Sequence, residues 1–206
     1  MQNEIVIIDY GMGNLRSVQK KFHRNGIQAI ITSELDLILG ATKLVLPGVG
    51  HFANGVKKLK ELRIWDILNE KVLKQKTPIM GICLGMQLMA NHSEEGNVQG
   101  LGWFDANIIK FRISNTFYYK IPHIGWNNIL QLKEHPLLKN ISQESIFYFV
   151  HSYHIECKNK NDILSKTNYE YEFVSSIQNE NIIGFQFHPE KSHDQGEQII
   201  KNFIQL

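Results

Sequence analysis

"PIMGICLGMQLM" (residues 78–89) places Cys83 between Gly81 and Gly85, where a short apolar run gives way to residues spaced for a helix. The run TPIMGIC has the length and continuity of a strand covered on both faces, as in a parallel sheet shielded by helices. The pattern G-x-nucleophile-x-G marks a tight turn from strand into helix, with glycines where side chains would collide with the turn. Such a turn presents its central residue at the carboxyl edge of the sheet, where open α/β sheets hold their ligands. The following helix N-terminus, near Leu84, favours thiolate over thiol and offers N–H groups to an oxyanion. Taken alone, the stretch also reads as a small buried thiol at a strand end, so the decision rests on what surrounds it.

Working outward, strand and helix alternate. EIVIID (Glu4 to Asp9), QAIIT and KLVLPG are further buried-strand candidates. NLRSVQKKFHRNG spaces Leu15, Val18 and Phe22 for a helix that Gly26 is placed to end. Residues 53–76 read as helical with Val56, Leu59, Leu62, Trp65 and Leu68 inward, and LGMQLMANHSEEG reads as a helix followed by a polar turn. The second half is strand-rich: WFDANIIKF, WNNILQL, SIFYFVHSYHIEC, and EFVSSIQNENIIGFQF with a hairpin turn at QNEN. A last helix carries Ile199, Ile200, Phe203 and Ile204 on one face. This order predicts a three-layer α/β fold: a mostly parallel central sheet, helices on both faces, and a β-rich second half. At 206 residues, one domain spanning 1–206 is expected.

Composition narrows the function classes. A formal net charge of +2 with 20% charged residues gives no basic face, so nucleic acid is not suggested. Two cysteines, Cys83 and Cys157, make no disulfide framework and fit a reducing, cytoplasmic setting. The opening MQNEIVIIDYG reads as a strand ending in an acid rather than as a leader, and no apolar run reaches the roughly 18 residues of a membrane span.

A cysteine nucleophile needs a base, and GFQFHPEKS supplies one. His188 and Glu190 are two apart, so in an extended segment their side chains point the same way, and Glu190 can orient His188 and stabilise its cation. Pro189 between them restricts the backbone. LPGVGHF sets Pro47, Gly48, Val49 and Gly50 after a strand. Amides of the Val49–Gly50 stretch and of Leu84 could there face the negative charge that develops when Cys83 attacks a carbonyl. Other residues are weaker leads. YGMGNL lacks the third glycine of a dinucleotide fingerprint. His151 and His154 have a spacing open to a metal but no carboxylate or cysteine cluster beside them, so no metal or cofactor is expected. Cys157 reads as a bystander thiol.

The stretches DYGMGNLRSV, LPGVGHF, GICLGMQLM, SEEG, PHIGWN, FVHSYH and GFQFHPEKS span nearly the whole chain. In this order they resemble the class I (triad-type) glutamine amidotransferases, with their flavodoxin-like fold, and more narrowly the glutaminase subunits of imidazole glycerol phosphate synthase. The resemblance implies that Cys83 attacks the side-chain amide of glutamine, His188 moves the proton and Glu190 holds the imidazole. It implies glutamine binding by Gly50, Gln87, Glu95, Ser152 and Tyr153. It also implies a (β/α)8-barrel cyclase partner in a heterodimer, met by Trp126, Tyr148 and Lys191. Ammonia passed to that partner would yield imidazole glycerol phosphate, for histidine synthesis, and an aminoimidazole carboxamide ribotide. GLGWFDANIIKF resembles paralogous subunits that supply ammonia for amidine groups on surface-polysaccharide sugars, and that reading stays open here. A cysteine peptidase-like hydrolase and a non-catalytic binding module are further alternatives. The adjacent His188-Pro189-Glu190 argues against the first, and the intact set of Cys83, His188 and Glu190 against the second.

Overall fold

The computed structural model describes residues 4–206, and a parallel sheet lies at its centre. The first half of the chain runs β1 (Ile5–Ile8), α1 (Leu15–Arg24), β2 (Ile30–Thr32), α2 (Leu35–Gly40), β3 (Lys43–Gly48), α3 (Phe52–Glu61), α4 (Ile64–Asn69), β4 (Ile79–Cys83) and α5 (Leu84–Gln87). The second half adds β5 (Ala90–Ser93), β6 (Val98–Gln99), β7 (Phe104–Lys110), β8 (His123–Asn128), β9 (Leu130–Gln131), β10 (Ile146–His151) and β11 (Tyr153–Cys157). It closes with β12 (Ile163–Tyr169), β13 (Tyr171–Asn179), β14 (Ile182–Phe185) and α6 (His193–Gln205). Strands β2, β1, β3, β4 and β14 lie side by side, all parallel. Beyond β14 the same sheet continues through antiparallel β13, β11 and β7 to β5 and β6, while β8 and β10 form a separate antiparallel ribbon.

The continuous apolar runs become the middle strands because both of their faces are covered. Alternation along the strands sends Val6, Ile8, Leu44 and Leu46 into one core layer with Ile38, Leu59 and Leu68 of α2–α4. Ile5, Ile7, Val45 and Ile82 enter the other, against Val18 and Phe22 of α1 and Ile199 and Phe203 of α6. Helices therefore flank the central sheet on both sides, as the alternation predicts.

Four local expectations need correction. The single helix expected over 53–76 is broken: Arg63 takes a left-handed backbone (φ 58°), which re-phases the helix so that Ile64 is buried and Leu62 is exposed, and Glu70–Lys74 is wound as a π-helix. The helix expected from LGMQLMANHSEEG stops at Gln87, and Ala90–Ser93 is a strand. The cause is tertiary: Leu101 and Trp103 donate their N–H groups to the carbonyls of Leu88 and Met89, at 2.7 and 2.8 Å, and take acceptors a longer helix would have used. SIFYFVHSYHIEC is two strands broken at Ser152, one in the ribbon and one in the main sheet. Finally, α2 and β12 form where no regular element was expected.

α6 is tied to the 3₁₀ turn at Pro136–Leu138 by Asn202, whose buried amide donates to the carbonyls of Leu137 (2.9 Å) and Lys139 (2.8 Å). Asn202→Ala strands both acceptors and should cost about 2–3 kcal/mol, read as a lowered denaturant midpoint with unchanged m.

Candidate active site

Cys83 ends β4 with φ 52° and ψ −109°, a backbone region that non-glycine residues rarely enter. Pairing on both sides holds it there: Gly48 of β3 opposes Cys83 itself, and Phe185 of β14 opposes Ile82. A Cβ on Gly81 would come within 2.7 Å of the Met86 nitrogen, and one on Gly85 would strike the Leu46 carbonyl oxygen, so both flanking positions need glycine for close packing. α5 spans only four residues. The expected help from a helix dipole is accordingly small, and only individual N–H groups near Leu84 can act on the sulfur.

His188 follows β14 and is fastened to the ribbon. Its N–H donates to the Tyr148 carbonyl at 2.9 Å, and Ser192 Oγ donates to the His188 carbonyl at 2.6 Å while accepting from Tyr148 N at 3.0 Å. His188 Nδ1 lies 2.7 Å from Glu190 Oε1, with both side chains almost fully buried. A carboxylate only accepts, so Nδ1 carries the proton and Nε2 is left as the basic atom. Nε2 is buried and makes no formed hydrogen bond in the resting geometry. Burial pushes the imidazolium down, but the negative charge of Cys83 and the hydrogen-bonded Glu190 outweigh this and lift His188 to about 10. Contact with Cys83 is therefore mainly electrostatic at rest.

One cleft of about 490 Å³ collects Val49, Gly50, Cys83, Leu84, Gln87, Glu95, Ser152 and Tyr153, with Lys191 at its border. His188 and Glu190 lie behind Cys83 rather than in its lining. Gly50 has φ +115°, a conformation open to glycine, which gives the Val49–Gly50 backbone its unusual path. Glu95 Oε2 accepts from Phe52 N at 2.7 Å, which anchors it at the start of α3. A larger groove of about 1250 Å³ runs over α1 and β2, but it holds no cysteine and one histidine, His23.

Trp126, Tyr148 and Lys191 form one patch beside the cleft. Trp126 opposes Tyr148 across the ribbon with ring centroids 5.7 Å apart, and Lys191 Nζ lies 5.3 Å from the Tyr148 ring. Trp126 is 43% exposed and Ile124 59%, so the outer face of the ribbon is apolar and open. His151, which also lines the cleft, and His154 pack against an aromatic core around Phe111 and Phe173. Burial pushes both imidazoles down, and no group of three His, Cys, Asp or Glu side chains among the described residues is placed to hold a metal. Cys157 is half-buried, and burial, with Asp162 and Glu156, pushes its thiol up to about 12.

Sequence reading passed over Gln186 and Tyr10. Gln186 is fully buried, with Nε2 3.7 Å from Cys83 Sγ and Oε1 accepting from Gln87 Nε2 at 3.0 Å. The signal was available: a polar residue between two phenylalanines, on the same face as His188 two positions later. Tyr10 is fully buried beneath Gly48, where any Cβ would meet its hydroxyl. Burial and the Cys83 charge hold that hydroxyl protonated far above neutrality. No local pattern marks it.

Because the folded value of His188 lies above the ordinary 6.5, the stability it contributes is fully present below about pH 6.5 and lost as pH rises through about 10. Cys83→Ala removes the strongest of the raising influences, so the imidazole should titrate well below its wild-type value by histidine-selective NMR. An unchanged titration would rule out the Cys83–His188 coupling.

Similarity to known proteins agrees with this geometry. The family description "Glutamine amidotransferase class-I" matches residues 6–206. The chain is 52% identical to imidazole glycerol phosphate synthase subunit HisH 2 of Methanococcus maripaludis, over 97% of this chain and 98% of that one. It is 44% identical to subunit HisH 2 of Pseudomonas aeruginosa, over 98% and 99%. It is 45% identical to subunit HisH 1 of Campylobacter jejuni strain RM1221, over 98% and 100%. Among solved structures, a glutamine amidotransferase crystal structure shares the fold with TM-score 0.73 at 16% identity, covering 97% of each chain. The CTPS glutaminase domain of Trypanosoma brucei, solved with acivicin, does so with TM-score 0.63 at 16% identity, covering 98% of this chain and 94% of that one. With its Cys83 elbow and His188–Glu190 pair on this sheet, the chain belongs to the class-I glutamine amidotransferase family.

Proposed function

We propose that the chain is the glutaminase subunit of imidazole glycerol phosphate synthase, with residues 1–206 acting as one amidotransferase domain in the cytoplasm. The observation that carries this is the cleft in which Cys83 meets Gln87, Glu95, Ser152 and Tyr153, backed by His188 and Glu190. The shared name of its relatives supports the pathway. Cys83 Sγ attacks the carboxamide carbon of glutamine, and the thiol proton passes to His188 Nε2. Backbone N–H groups of Val49–Gly50 and Leu84 receive the developing oxyanion. His188 then protonates the leaving ammonia and activates the water that cleaves the glutamyl thioester, releasing glutamate. Glu190 keeps Nδ1 protonated throughout.

The ammonia acceptor sits in a second subunit. We place a (β/α)8-barrel cyclase on the exposed β8–β10 face, as a heterodimer, with Lys191 reaching an acidic group of the barrel. Lys191 Nζ lies over the Tyr148 ring, 5.3 Å from its centroid, on the side of the ribbon that stays exposed. The positive φ at Gly50 lets the oxyanion backbone turn, so docking can control whether a donor faces the carbonyl. A missing donor costs about 10² to 10³ in rate, or roughly 3 kcal/mol.

Cys83→Ala should abolish glutamine hydrolysis without unfolding the chain, and a glutamine-like diazo-ketone should label Cys83 and spare Cys157, whose thiol stays protonated. Retained hydrolysis would refute the assignment. The isolated chain should hydrolyse glutamine about 10²-fold more slowly than the complex with acceptor bound, and Lys191→Ala should reduce that stimulation more than the basal rate. The pathway is tested by turnover of the phosphoribulosyl formimino substrate with glutamine as nitrogen source, and by rescue of a histidine auxotroph. Glutaminase activity with neither outcome would move the acceptor to a surface-polysaccharide sugar.

A further inference from the structure

Four amide and carbonyl groups form a chain of contacts around the nucleophile, and its atom assignments follow from one backbone oxygen. The Tyr153 carbonyl can only accept, so the Gln87 amide atom 3.0 Å from it is the nitrogen. The same nitrogen lies 3.0 Å from the Gln186 amide, which must meet it with its oxygen. Gln186 is thereby obliged to turn its own nitrogen toward Cys83 Sγ, at 3.7 Å. The Val150 carbonyl oxygen also lies near the sulfur, at 3.9 Å. The sulfur thus has an acceptor suited to the thiol and a donor suited to the thiolate within reach.

We propose that Gln186 is a positioning residue for the nucleophile: its amide N–H stabilises the sulfur once the proton has gone to His188, while its amide oxygen holds Gln87 at the wall of the cleft. The inference rests on Cys83 being the nucleophile. Gln186 is fully buried, and its backbone N–H is fixed to the Ser175 carbonyl at 2.9 Å, so its amide has little freedom to turn away. A fully buried amide amid Phe185 and Phe187 is costly unless its polar atoms are used, and here both are. Donation to a charged acceptor favours the charged form, which is the state that attacks. The titratable groups facing Cys83 from packed elements are His188, backed by Glu190, and Tyr10 after β1; Glu95, His151 and Lys191 share the cleft. Substituting Gln186 leaves all of them in place.

The test is the pH dependence of iodoacetamide alkylation of Cys83, read by mass spectrometry from pH 6 to 9.5, beside steady-state glutamine hydrolysis by the chain in complex with its synthase partner. Gln186→Met removes donor and acceptor at similar volume. Its alkylation profile should move up by about one pH unit and kcat should fall about tenfold. Gln87→Met, which frees the Gln186 amide to rotate, should raise KM for glutamine and shift the profile in the same direction by less. Gln186→Asn keeps a polar group but withdraws it by one methylene, and it decides the matter if the methionine variant fails to fold. A folded Gln186 variant with the wild-type alkylation profile and kcat overturns the proposal. Glutamine hydrolysis persisting in Cys83→Ala would instead overturn the nucleophile assignment, whatever Gln186 does.

Discussion

The backbone at Cys83 occupies a region that costs about 1–3 kcal/mol for a side-chain-bearing residue, and nothing local repays it. It persists because β4 is paired on both edges, with β3 on one side and β14 on the other, so the strand cannot relax without breaking two ladders. The contact of Gly85 with the Leu46 carbonyl and of Gly81 with the start of α5 then leaves a single course for the chain. Every other part of the site is measured from that point. Gly48 opposes Cys83 and leads to Val49 and Gly50, which brings the candidate oxyanion backbone beside the sulfur.

His188 depends on a different attachment. Its strand belongs to the central sheet, but its own backbone is held by Tyr148 and Ser192, so the base is suspended between the sheet and the β8–β10 ribbon. The inner face of that ribbon packs Phe147 and Phe149 against Phe187, and the outer face shows Ile124, Trp126 and Ile146 to solvent. A partner that covers the outer face therefore presses on the strand that fixes His188. Lys191, three residues after His188 and hydrogen-bonded to its carbonyl at 3.0 Å, borders both the cleft and the Tyr148 ring. Under the proposed function, catalysis and docking share β10, which is a physical route for one to affect the other.

Much of this was legible in one dimension, for identifiable reasons. The elbow was readable because a nucleophile between two glycines after an apolar run has few other uses. The His188–Glu190 pair was readable because period-two geometry puts i and i+2 on one side of an extended chain. Gln186 obeys the same rule, yet its role depends on Gln87, 99 positions earlier, and on the Tyr153 carbonyl that orients Gln87. Tyr10 was invisible because only the crossing of β1 beside β3 brings its ring under Gly48. The early end of α5 and the break at Ser152 were missed for a similar reason: the returning chain at Leu101–Trp103, and the divergence of β10 from β11 into separate sheets, are long-range facts that override local periodicity.

Sequence by itself determined most of the alternation of strands and helices and named the candidate nucleophile, base and carboxylate, because each is set by short-range stereochemistry and residue type. Tertiary structure decided which backbone carbonyls flank the sulfur, which amide atom faces it, and which aromatic face stays open for a partner. Those properties depend on strands brought together from distant parts of the chain, where hydrogen-bond direction and burial are set by neighbours that no local pattern names.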